Sequence, residues 1–384
     1  MGFFLPDNSL SNLERHGGEG RDGEGFLTRE HSLHLQLRSA YPYIHKYPFP
    51  TQLRGSSSVR SNKIQNNTLL LVSIAIMSDD SVMNPELVIN HKFPQVTHTY
   101  SERDVALYAL GIGACAKDAL DDKELKYVYH EDGQQSIKVF PTFAALFSIG
   151  LTSQLSQLPG FAFDPRLLLH GQQYIEIYKP LPTNCLMQNK SSIVGLHDKG
   201  KAAILEIEVV SYEKETGEPL CMNRTTVYLR GAGGFSKSSQ PYSFTKYPRD
   251  QTSSKTPKTQ PFVVHEECTQ PAQALLYRLS GDYNPLHSDP KIAEVAGFSR
   301  PILHGLCTLG FAVRAIIKTI CNGDANLVKA ISGRFLLHVY PGETLITEMW
   351  LQGLRVLYQT KVKERNRAVL AGFVDLNQLR SSSL

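Results

Sequence analysis

Residues 305–320, GLCTLGFAVRAIIKTI, decide how this chain folds. Leu306, Leu309, Ala312, Val313, Ile316, Ile317 and Ile320 recur there at i, i+3, i+4 spacing. The apolar face is wide, so the spacing predicts a long helix that other elements must cover. Strand-like runs follow at 334–340, 345–351, 356–362 and 369–374. Their short connections favour antiparallel pairing. A buried helix wrapped by an antiparallel sheet is an α+β architecture.

The same order of elements occurs once more upstream. Tyr108-Ala109-Leu110 lines up with Tyr277-Arg278-Leu279 at an offset of 169 residues. Pro141 and Gly150 line up with Pro301 and Gly310 at 160, and Gly171 with Ile177-Tyr178 lines up with Gly333 with Val339-Tyr340 at 162. Three ordered anchors at similar offsets mark two diverged copies of one unit. Each copy opens with a helical stretch (101–111 and 270–279) and continues into an apolar helix (142–155 and 305–320). In the first copy, strands are expected at 173–178, 204–212 and 222–228. Residues 231–261 are rich in Gly, Ser, Thr, Pro and Lys and read as a linker. The expected units are therefore 81–230 and 262–376, with a tail at 377–384. Two copies in one chain build internally what a homodimer builds from two subunits.

Composition narrows the class. Of 384 residues, 41% are hydrophobic and 20% charged, which fits a globular protein. The formal net charge of +4 is too small to imply nucleic acid and does not repel a phosphate-bearing ligand. The six cysteines (Cys115, Cys185, Cys221, Cys268, Cys307, Cys321) form no CxxC pair and read as free thiols, with no metal site. The longest apolar run, 69–77, is far short of the roughly 20 residues a spanning helix needs. Pro6 stands where a myristoylation motif wants Ser or Thr. Residues 1–76, rich in Gly, Ser, His and Arg, read either as a flexible tail or as an extension upstream of a start at Met77; both readings stand.

The chemistry concentrates in residues 277–304, YRLSGDYNPLHSDPKIAEVAGFSRPILH. Ser280 to Pro285 is turn chemistry directly after a helix. Asp282 and His287 lie five apart on a segment held by Pro285 and can converge on one cavity. A carboxylate beside an imidazole suits activation of water. An Asx-type turn and an ordinary satisfied histidine are the structural alternatives. Ser288-Asp289-Pro290 offers a cap and a Pro at N1 for a short helix stopping at Gly297. Gly305 opens the long helix, where first-turn amides lack internal partners. Its N–H can stabilise negative charge on a thioester oxygen, an interaction worth about 3–4 kcal/mol of barrier; tight packing at the helix entry is the alternative.

The segment SGDYNPLHSDPKIAEVAGFSRPILHGLCTLGF resembles the hydratase 2 motif of the MaoC-like, hot-dog-fold enoyl-CoA hydratases. That family includes the hydratase part of peroxisomal multifunctional enzymes and stand-alone plant peroxisomal members. The likeness runs from about Met77 to Leu384 and includes LLLHGQQYIEIYKPLP and SGRFLLHVYPGETL. It implies a double hot dog with one active site and no cofactor beyond the CoA of the substrate. The implied reaction is reversible hydration of trans-2-enoyl-CoA to (R)-3-hydroxyacyl-CoA in peroxisomal β-oxidation, of unsaturated fatty acids in particular. It assigns catalysis to Asp282 and His287, orientation to Asn284 and the oxyanion contact to Gly305. Acyl-CoA contacts fall on His170, Gly171, Lys199, Asp282, Tyr283, Asn284, Pro285, Leu286, His287, Gly305 and Phe335. Lys199 suits a CoA phosphate, and Phe335 the acyl chain or pantetheine arm.

The offset of 169 carries the pair back to Gly113 and Asp118, so the first copy lacks it and is expected to shape the acyl tunnel. The tail Ser382-Ser383-Leu384 resembles the Ser-Lys-Leu peroxisomal address, which implies an import receptor as partner. A homodimer is a further possible assembly. No nicotinamide-binding glycine fingerprint is present. A thioesterase on the same fold and a non-catalytic acyl-CoA binder are the competing readings, and the intact Asp282/Asn284/His287 motif disfavours both.

Overall fold

A computed structural model describes residues 83–155, 158–248 and 255–379. The expectations for 1–76 and for Ser382-Ser383-Leu384 lie outside these residues. Among the described residues, eleven strands form one sheet. They are β1 (Val96–Tyr100), β2 (Leu168–Ile177), β3 (Cys185–Asp198), β4 (Ala202–Glu213), β5 (Pro219–Arg230), β6 (Ser243–Thr245), β7 (Val263–Cys268), β8 (Val328–Phe335), β9 (Thr344–Gln352), β10 (Arg355–Val362) and β11 (Arg367–Leu376).

Strands β2 and β8 pair antiparallel at the centre, with Gln172 opposite Arg334 and Ile175 opposite Ile331. Outward from that seam the sheet runs β2-β5-β4-β3-β1 on one side and β8-β11-β10-β9-β7 on the other, with β6 added to β3. The two sides share one strand order, so the internal repeat is a structural one. This is the α+β double hot dog that the resemblance implies.

The long helix is present at Gly305–Thr319. Leu306, Leu309, Ala312, Val313, Ile316 and Ile317 are all buried, and each of the five larger ones contributes about 1.5–3 kcal/mol through burial. They share one core with Tyr108 and Phe143 of the first copy and Ile331 of the seam.

The expected helix at 142–155 is a correction. Pro141–Ser148 is a 3₁₀ stretch, followed by a short helix at Leu151–Leu155. Ile149 is extended, and Gly150 takes φ +94°, which a side-chain-bearing residue resists. The stretch is buried from Pro141 through Phe147, so its backbone carbonyls need partners inside the protein. Two strand asparagines supply them: Asn223 donates to the Ala144 carbonyl at 2.8 Å and Asn189 to that of Phe147 at 3.0 Å.

The strand expectations also need correction. The strand expected at 334–340 lies at Val328–Phe335, where both faces are largely covered and the alternation that marks a half-buried strand is lost. β3 went unseen because its polar run, Gln188 to Ser192, hides the apolar positions before and after it. No disulfide joins the cysteines among the described residues, and no helix there is long and apolar enough to cross a membrane.

Candidate active site

Local sequence builds the loop that carries Asp282 and His287. Gly281 ends the preceding turn with φ +121°. The Asn284 side chain then accepts from the Leu286 amide at 3.0 Å and caps the 3₁₀ turn Pro285–His287. The Asn284 amide donates to Asp282 Oδ1 at 3.3 Å, which ties the carboxylate to the turn. Asp289 caps the next helix, Pro290–Val295, through the amides of Lys291 and Ile292, and Gly297 ends it as expected.

Tertiary packing then orients the imidazoles. His287 is buried, and its Nδ1 lies 2.8 Å from the Ile302 carbonyl. A carbonyl only accepts, so Nδ1 carries the proton and Nε2 is left as a free base. His304, buried at the N-cap of the long helix, stacks on His287 with ring centroids 3.7 Å apart and planes 29° apart. Its Nε2 donates to the Asp282 main-chain carbonyl at 3.2 Å. Asp282, His287 and His304 thereby bring ligand-type atoms within 4.8 Å of one another. An imidazole holds a cation in its ring plane, and two rings stacked face to face do not converge on one ion. The trio suits proton chemistry better than metal binding.

Gly305 follows His304 and is exposed. A Cβ there would meet the Phe335 ring at 3.1 Å, so glycine keeps the first-turn amide open beside that ring. Phe335, at the end of β8, packs edge-on against His170 of β2 with centroids 4.9 Å apart. His170 feels the Asp282 charge, so the site straddles the seam and draws on both copies. Gly171 adjoins His170 in β2, and its would-be Cβ meets the Thr226 carbonyl at 3.4 Å. Tyr283 is exposed, with Arg278 over its ring at 4.9 Å.

Lys199 is placed differently. It occupies the exposed turn between β3 and β4, where its amide bonds the Ala202 carbonyl at 2.8 Å. Asp198 stiffens that turn by accepting from the amides of Gly200, Gly234 and Ser236 at 2.8 Å each. No described contact joins Lys199 to the Asp282–His287 loop.

Sequence reasoning missed the elements that fix His170. Its Nε2 lies 3.1 Å from Gln173 Oε1. Gln173 Nε2 donates to Asn223 Oδ1 at 3.0 Å, and Thr225 donates to Gln173 Oε1 at 3.1 Å. The amide is thus oriented with its oxygen toward His170, which must be the donor. This buried chain continues through Asn223 to the Ala144 carbonyl. Its trace in sequence is a run of adjacent polar residues inside each apolar strand, Gln172-Gln173 in β2 and Asn223 to Thr226 in β5.

Burial lowers all three histidines: His170 to about 4, His304 to about 2, and His287 in the same direction against the opposing Asp282 charge. Each folded value lies below the unfolded 6.5, so the unfolded chain binds more protons as pH falls below that point. The denaturation midpoint is expected to hold above pH ~6.5 and to drop between pH ~6.5 and ~4. A midpoint flat across that window would refute the neutral state of these rings.

Two family models divide the chain. One described as "MFE-2 hydratase 2 N-terminal domain" matches residues 98–231, and one described as "MaoC like domain" matches 250–372. The chain is 66% identical over 306 residues to the peroxisomal enoyl-CoA hydratase 2 of Arabidopsis thaliana, covering 79% of this chain and 99% of that one. It is 39% identical over 297 residues to the peroxisomal multifunctional enzyme type 2 of Mus musculus, covering 75% of this chain and 38% of that enzyme. The crystal structure of a MaoC-like dehydratase from Phytophthora capsici superposes with a TM-score of 0.66 at 33% identity, covering 78% of this chain and all of that one. Fold and matches together define a MaoC-like double hot-dog protein. Within that class, the chain belongs to the enoyl-CoA hydratase 2 family.

Proposed function

We propose that this chain hydrates trans-2-enoyl-CoA to (R)-3-hydroxyacyl-CoA in peroxisomal fatty acid β-oxidation. The observation that carries the reading is the pairing of Asp282 with a His287 whose Nε2 is a free base, next to an open helix-start amide at Gly305. A water held between Asp282 and Nε2 loses a proton to the pair as its oxygen bonds to C3 of the enoyl group. The C2–C3 π electrons shift toward the thioester, and the Gly305 N–H stabilises the enolate-like oxygen. The pair then returns a proton to C2, so that one water supplies both the hydroxyl and the hydrogen. Substrate and water supply every atom, and no cofactor enters the scheme. The (R) outcome follows the family resemblance.

In this reading His170, Gly171 and Phe335 line the thioester end of the pocket, Asn284 orients the loop, and the Asp282–His287 turn borders the pantetheine arm. Lys199 meets a CoA phosphate from its rigid turn. The first repeat, 81–230, walls the acyl pocket; the second, 262–376, carries the proton chemistry; 231–261 connect them. Relatives named peroxisomal support import into that organelle through its receptor. A second copy of the chain is the other proposed partner.

The test follows enoyl absorbance and free thiol together on trans-2-decenoyl-CoA. Loss of absorbance without thiol release is the expected result. Thiol release would make the chain a thioesterase, and binding without turnover would make it an acyl-CoA carrier.

A further inference from the structure

His304 precedes the proposed oxyanion amide and is 1% exposed. One edge donates Nε2–H to the Asp282 carbonyl, and one face covers the His287 ring. Tyr277 packs beside it with ring centroids 4.8 Å apart. Its Nδ1 is buried and makes no hydrogen bond.

That unmet nitrogen is informative. With Nε2 carrying the proton, Nδ1 is a buried acceptor with no donor, which is costly. A phenylalanine would pack there without the cost but could not hold the Asp282 carbonyl. A glutamine could hold the carbonyl but could not cover the His287 ring. Among side chains of this size, only histidine offers a flat ring and an edge N–H donor in one place.

We propose that His304 is a positioning residue for hydration: its N–H pins the Asp282 backbone and its ring fixes the plane of His287, so that carboxylate and imidazole address the same water. The proposal rests on the reading of Asp282 and His287 as the proton-handling pair.

The surroundings suit this role. His287 faces Asp282 and the His304 ring; His304 also faces Arg278, and Tyr277 closes its side. His170 lies across the seam within reach of the Asp282 charge. Burial first, then the neighbouring imidazole, keeps His304 neutral. A neutral ring excludes water from one face of His287 without repelling its proton. Removing the ring admits water, which lets the lowered His287 rise toward its ordinary 6.5.

The two contacts can be separated in the full chain by measuring kcat and KM on trans-2-decenoyl-CoA across pH, with Asp282→Asn as reference. His304→Phe keeps the ring and loses the donor. It is expected to lower kcat about ten-fold, the size of one lost positioning hydrogen bond, with the acid limb of kcat/KM in place. His304→Gln keeps a donor and loses the ring. It is expected to retain more kcat than the Phe variant while its acid limb moves to higher pH. KM should stay within about three-fold in both, since neither contact is made to substrate.

Wild-type kcat and pH profile in both variants, with Asp282→Asn inactive, would overturn the proposal alone. So would a loss of kcat matched by loss of folded protein with an unmoved acid limb, or a rise in KM at unchanged kcat. An active Asp282→Asn would remove the underlying reading and the proposal with it.

Discussion

Asp282→Asn is expected to lower kcat for enoyl-CoA hydration by about 10²–10⁴-fold while leaving KM within a few-fold. The substitution is isosteric. It removes the charge but keeps an oxygen to accept from the Asn284 amide, so the turn should survive. His287→Ala should cost a similar factor, but it also strips the ring stacked on His304 and the donor to the Ile302 carbonyl. The asparagine variant is therefore the cleaner probe of chemistry. The pH dependence has a fixed sign as well. In the proposed mechanism the base form of His287 is the active one, and burial, which outweighs the opposing effect of Asp282, lowers it from 6.5. Activity should thus persist below pH ~6.5 and fall on the acid side as Nε2 takes up a proton. Near-normal turnover by Asp282→Asn, or an acid limb above 6.5, would refute the assignment.

The second large effect is on stability. Arg314 projects from the long helix and is 1% exposed. It pairs with Glu124 of the first copy and Glu267 of β7, and its Nε donates to the Ile112 carbonyl at 2.9 Å. Lys318 adds bonds to Asp121 at 2.6 Å and to Glu124 at 3.3 Å. Arg314→Ala leaves Glu124 with Lys318 and Glu267 with His265, beside a void where the guanidinium was, and should destabilise by about 3–5 kcal/mol. Replacing all three partners by apolar residues (Arg314→Met, Glu124→Leu, Glu267→Leu) should recover most of that loss, because the buried charges go too. Denaturant midpoints measure both. An Arg314→Ala protein within about 1 kcal/mol of wild type would show that water reaches these carboxylates.

This network also bears on why the first copy has no Asp/His pair at the equivalent positions. The repeat offset puts Gly113 where the second copy has Asp282. A side chain on Gly113 would meet the Phe311 ring at 2.6 Å and the Arg314 guanidinium at 3.1 Å. Packing around the long helix fills that position, and no room remains for a carboxylate.

Whatever depends on neighbours along the chain is legible in the residues themselves. The period of residues 305–320 gave the long helix. Turn and cap residues gave the Asp282–His287 loop and the Asp289-capped helix after it, and ordered anchors gave the repeat. Residues 142–155 are not legible in that way, since apolar composition does not distinguish a long helix from a buried 3₁₀ stretch. That choice turned on Gly150 and on carbonyl partners from Asn189 and Asn223, which stand on other strands. Tertiary structure alone decided the site's finer geometry. The Ile302 carbonyl that sets the His287 tautomer is a backbone atom with no signature in side-chain type. The His304 stack and the approach of His170 to Asp282 arise only when the helix start, the loop and the β2–β8 seam meet. Local propensities act over a few residues, whereas these contacts join segments up to 112 positions apart, from His170 to Asp282, and exist only once the sheet has closed on the helix.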